Sequence, residues 1–134
     1  MIMEERTQEE IEWYMERFTG LVQECQDEHE RSSKFPKETT VRVEKGRKYW
    51  KIMVDAHDEW SGHRSTIFGF VRREDGAIFR AANLKAPETR TKNPIRGYIW
   101  EEDAGSTFSW TGINYDMGTC HSLYNLVLDF RFKI

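Results

Sequence analysis

Two rhythms of apolar residues divide the chain at Pro36. Before it, Ile11, Tyr14, Met15, Phe18, Leu21, Val22 and Cys25 recur at three- and four-residue steps, the spacing that lines one face of an α-helix. Glu9, Glu12, Glu16, Gln23 and Asp27 fall mostly on the other faces. Thr7-Gln8-Glu9-Glu10 has the form of a capping box. In that motif the threonine hydroxyl accepts from an orphan backbone N–H and the glutamate reaches back, so the pattern predicts a helix over residues 7–31. Gly20 interrupts the stripe at a cost of about 1 kcal/mol relative to alanine, which predicts close packing or a bend at that point.

After Pro36 the period becomes 2, the mark of strands with alternating faces. Residues 39–43 and 48–54 alternate about a turn at 44–47, with Trp50, Ile52 and Val54 on one face. Residues 65–71 and 77–81 flank Asp75-Gly76, whose glycine supplies the positive φ of a tight hairpin. Residues 55–64 and 83–94 read as polar surface loops, and 96–100 as a short strand. Leu126, Leu128, Phe130 and Phe132 alternate near the end and predict a last strand facing the core. The expected architecture is one α+β domain over residues 1–134: one long N-terminal amphipathic helix packed on a mostly antiparallel sheet, within residues 39–134, of about five or six strands.

Length and composition agree with a single core. The chain has 134 residues, 38% hydrophobic and 32% charged, a size and balance that suit one folded domain and argue against disorder. Apolar runs fall short of the roughly 18 residues of a membrane span. The opening MIMEERTQEE is acidic where a signal peptide would be basic and then apolar. We therefore expect no membrane association and a cytoplasmic location, in the host cytoplasm if the chain is viral. Cys25 and Cys120 lie far apart with no CxxC spacing, which leaves two thiols or one long-range disulfide.

Charge is unevenly spread. The net value is −3, but residues 1–38 carry 5 basic and 11 acidic side chains, residues 39–100 carry 13 and 7, and residues 101–134 carry 2 and 5. An acidic helix beside a basic sheet is expected, the two complementing one another.

Three groups of residues bear on function. Arg42, Lys45, Arg47, Lys48 and Lys51 surround Tyr49 and Trp50 on one hairpin. Cations that track phosphates beside aromatic faces that stack on bases are what nucleic-acid binding requires, although Trp50 shares a face with Ile52 and Val54 and fits a core equally well. Asp55, His57, Asp58, Glu59 and His63 crowd one loop, and imidazoles flanked by carboxylates suit a divalent metal; His57, His63 and Asp55 are the candidate ligands. Their H-x5-H spacing lacks the fixed geometry of two histidines on one helical turn. A third class is protein interaction, since loop aromatics and cations anchor interfaces. Its candidates are Trp60, Lys85, Arg90, Lys92, Arg96 and Trp110, with Phe108 and Tyr115 nearby. Cys120-His121 forms a nucleophile–base pair only if the two meet in space. Glu101-Glu102-Asp103 reads as a solvated turn. Phosphate-cradling glycine loops and the G-x-S-x-G elbow are absent from the sequence, and no catalytic residue and no cofactor is expected.

One stretch also carries a resemblance. Ile67-Phe68-Gly69-Phe70-Val71, then residues 75–87 from Asp75-Gly76 to Lys85-Ala86-Pro87, then Arg96-Gly97-Tyr98-Ile99-Trp100 resemble a pattern in small uncharacterised proteins of tailed bacteriophages. There, a phenylalanine-valine strand precedes a "G-x-[IV]-[YF]-[KR]-x-A" strand, a "K-A-P" loop and an "R-G-x-[IV]-[FW]" segment. The resemblance covers residues 67–100 and implies a viral or metagenomic origin without an assigned activity. The combined expectation is a non-enzymatic viral accessory or protein-interaction protein that binds a protein partner or itself. A nucleic-acid-binding protein is the first alternative and a metal-dependent hydrolytic enzyme the second.

Overall fold

Helix α1 (Gln8–Arg31) begins where the capping box places it: the Thr7 hydroxyl accepts the Glu10 N–H at 3.2 Å and the Glu10 carboxylate accepts the Thr7 N–H at 3.2 Å. The computed structural model describes residues 6–60 and 62–113. After the helix come β1 (Glu38–Lys45), β2 (Tyr49–Asp58), β3 (Gly62–Arg72), β4 (Ala77–Phe79) and β5 (Ile95–Tyr98), which form one antiparallel sheet in the order β1-β2-β3-β4-β5. A 3₁₀ turn (Ala104–Thr107) leads into a two-stranded ribbon of β6 (Phe108–Ser109) and β7 (Gly112–Ile113). The fold is thus α+β, one long helix on an antiparallel sheet, as its two apolar rhythms require. The strand expected at 126–133, the Cys120-His121 pair and Tyr115 lie outside the described residues.

The helical stripe becomes the core. Ile11, Met15, Phe18 and Val22 are buried against Trp50, Ile52 and Val54 of β2, Val71, Ile78 and Ile99. Phe18 has no exposed surface and meets Phe108 edge-on, centroids 5.4 Å apart, a burial that contributes about 2–3 kcal/mol. Trp50 belongs to this core, 5% exposed. Gly20 departs from expectation: it is exposed, a Cβ there would meet nothing within 4 Å, and α1 runs through it unbroken. No close packing requires it.

Polar side chains on and just before the helix reach the sheet and the segment that follows it. Gln23 accepts the Val41 N–H at 2.8 Å and donates to the Thr39 carbonyl at 3.0 Å, pairing two backbone groups on the edge of β1 that no other described strand pairs, as a neighbouring strand would. Arg17 donates to the Ile99 and Glu101 carbonyls at 3.3 and 3.1 Å, and Arg6 lies 3.9 Å over the Trp100 ring.

Register changes once between β2 and β3. Ile52 pairs with Gly69, but Met53 pairs with Ile67, so Phe68 is a bulge residue. The extra residue lets Phe68 join the helix-facing core beside Phe108 while Gly69 makes room for Ile113. On the opposite sheet face Phe70, Ala77 and Phe79 form a second, smaller cluster with Tyr49, Ile67 and Tyr98.

Candidate functional site

Beyond the bulge β2 and β3 continue one for one as a hairpin arm: Val54 opposite Thr66, Asp55 opposite Ser65, Ala56 opposite Arg64, His57 opposite His63, and Asp58 opposite Gly62. This corrects the loop expected at 55–64. A strand exposed on both faces needs no apolar alternation, so the rhythm that identifies the other strands is missing from this one. Every residue from Gly62 to Thr66 is exposed. The turn is closed by Asp58, whose carboxylate accepts the Trp60 N–H at 2.7 Å, and by Gly62, whose φ of +74° favours glycine.

Trp60 stands at the tip of the arm and is 92% exposed. Of the other aromatics expected at an interface, Phe108 is buried, and Trp110 is held by the helix: its ring stacks on His29 at 3.8 Å and its carbonyl accepts from buried Gln26 at 2.7 Å. Gln26 continues the helical stripe one step beyond Cys25. A polar residue at an apolar position is a signal that hydropathy alone passes over.

The charged loop candidates lie on or after a compact turn. Asn83 accepts the Lys85 and Ala86 N–H groups at 2.8 and 3.0 Å, and Ala81 bridges to Pro87. Lys85, Arg90 and Lys92 are exposed, whereas Arg96 is half-buried with its Nε unpartnered.

The basic hairpin at the other end of β2 is organised by ion pairs. Arg42 is bound by Glu44 and, at 2.7 Å, by Asp55; Lys51 approaches Glu44 at 3.6 Å. The Glu44 and Asp55 bonds raise the Arg42 pKa, and the Arg42 bond holds the Glu44 carboxyl below its ordinary range. Lys45, Arg47 and Lys48 are exposed at the turn. Tyr49, however, turns its ring edge-on into Phe70 and Phe79, with centroids 6.1 and 5.6 Å away, and Trp50 is core. The cations are present there without a free aromatic platform.

Asp55, His57 and His63, the candidate ligands, share one face of the arm, since Asp55 is two residues before His57 on β2 and His63 is opposite it on β3. Both Asp55 oxygens are engaged, one by Arg42 and one by the Ser65 hydroxyl. The Ser65 bond, then the Arg42 bond, keep its carboxyl below the ordinary range against the opposing effect of burial, and His63 adds to the lowering through its field. Among the described residues no three His, Cys, Asp or Glu side chains gather as a metal-binding group, and no helix is long and apolar enough to cross a membrane.

No curated protein and no solved structure matches this chain. A family model does match, over residues 2–116, from the helix through the arm to β7, and the chain belongs to that family, DUF7717, a family of unknown function.

Proposed function

We propose that this chain is a non-enzymatic interaction protein whose β2–β3 arm carries Trp60 to a protein partner. The observation that supports the reading is the 92% exposure of that indole at the end of a hydrogen-bonded hairpin. A large aromatic left in water at the end of a hydrogen-bonded hairpin suits an anchor, and truncating such an anchor typically costs about 2–4 kcal/mol of binding. The likeness of residues 67–100 to tailed-bacteriophage proteins supports placing this role among viral accessory functions. Nucleic-acid binding carries less weight, because Arg42 is bound by two carboxylates and Tyr49 packs into Phe70 and Phe79.

The test is a photo-reactive amino acid placed at position 60 or, as a control, at Phe35, which is also exposed, in the full chain mixed with extract of its source cells. Position 60 should yield discrete protein adducts that position 35 does not. Equal labelling from the two positions would remove the reading.

A further inference from the structure

The arm also carries two histidines in cross-strand register, and they are not required for presenting Trp60. His57 on β2 lies directly opposite His63 on β3, and both positions are exposed. Directly opposed residues on antiparallel strands project to the same side with Cβ atoms about 4.5–5.5 Å apart, a separation that two imidazoles can bridge around one ion with metal–nitrogen bonds of about 2.0–2.1 Å. We propose that His57 and His63 form a two-imidazole clamp for a divalent transition-metal ion of the zinc, copper or nickel class.

The donor chemistry selects that class. Imidazole suits these ions, whereas calcium and magnesium require a set of oxygens, and Asp55, the nearest carboxylate on the same face, has both oxygens committed to Arg42 and Ser65. With no third protein donor gathered among the described residues, the remaining coordination positions fall to water. The hairpin fixes the pair before the ion arrives, because the backbone ladder and the Asp58–Trp60 turn set the register. Half the ligands of a structural zinc site correspond to a dissociation constant of about 1–200 μM.

The inference rests on the register of the arm and not on a protein partner for Trp60, so the two fail separately. Zinc chloride added to the full chain labelled with nitrogen-15, in buffer without chelator, should shift the imidazole signals of His57 and His63 together, saturate at one ion per chain, and leave His29 unmoved. His57→Gln or His63→Gln should each weaken binding at least tenfold, with the circular dichroism of the wild type retained because both sites are exposed. Wild-type affinity in the double variant, or zinc shifts that spare His57 and His63, would overturn the clamp.

Discussion

Gln23 of the helix accepts the Val41 N–H of β1 at 2.8 Å, while its amide donates to the Thr39 carbonyl two residues earlier, on the edge of β1 that no other described strand pairs. One side chain thereby satisfies two backbone groups on that edge and fixes the helix against it. Gln23→Leu keeps helix propensity and removes both bonds, leaving a part-buried donor and acceptor unpaired at a cost of about 1–3 kcal/mol. The loss is read by urea unfolding, and hydrogen exchange at the Val41 amide should accelerate well beyond that at Val54. An unchanged Val41 exchange rate would show that the edge is protected by something else.

Two glycines should respond to the same substitution with opposite signs. At Gly69 a Cβ would collide with the Ile113 side chain and come within 3.1 Å of the Phe79 carbonyl. Gly69→Ala should destabilise by about 1–3 kcal/mol through overpacking. At Gly20 the same atom meets open space, so Gly20→Ala should stabilise by up to about 1 kcal/mol. Thermal unfolding of the two variants beside the wild type decides both.

The contrast between these glycines shows where the sequence is legible. Thr7 with Glu10, the stripe from Ile11 to Val22, and the alternation of Trp50, Ile52 and Val54 each express burial as a periodic pattern, so helix, core face and sheet follow from them. The arm expresses nothing periodic, because residues 62–66 bury neither face, so its sequence has the pattern of a polar loop. Its only local sign is Gly62, four residues after Asp58. The bulge is equally silent: Phe68-Gly69-Phe70 looks like an ordinary alternating strand until Ile113, forty-odd residues later, takes the space beside Gly69. Of the site candidates, the sequence names Trp60, His57 and His63, but only strand register brings the two histidines face to face.

Acid stability should depend on the turn between β3 and β4. Arg72 grips Asp75 with two bonds, of 3.0 and 2.7 Å, and the Ala77 N–H adds a third at 3.1 Å. Burial works to raise the Asp75 pKa, but the Arg72 bonds, the Ala77 N–H and the Arg72 charge outweigh it and leave the carboxyl below its ordinary value. A folded-state pKa below the unfolded value of about 3.9 means that the contribution is fully present above that value and is lost as pH falls through the lower, folded one. Asp75→Asn should therefore be less stable than wild type at pH 7, with the gap closing below about pH 4. Because both side chains are partly exposed, added salt should narrow the gap at neutral pH. A gap that stays constant from pH 7 to pH 3 would place the effect in the backbone of the turn and not in the charge.

Trp60 and Trp50 separate binding from folding on a single hairpin. Trp50 is 5% exposed in the core and Trp60 is 92% exposed at the tip, so truncation to alanine should cost about 3–5 kcal/mol at the first and less than about 0.5 kcal/mol at the second. The Asp58 carboxylate takes its hydrogen bond from the Trp60 backbone N–H, and the turn therefore survives the loss of the indole. If Trp60 anchors a partner, Trp60→Ala should leave the unfolding midpoint within error of wild type while weakening the complex about 30-fold or more. That combination is diagnostic, since a side chain that served the fold would lower the midpoint, and one that served nothing would change neither. Calorimetry on the variant and titration against the protein captured through position 60 measure the two quantities independently, and a midpoint that falls by several degrees would mean that the indole is packed in solution and unavailable as an anchor.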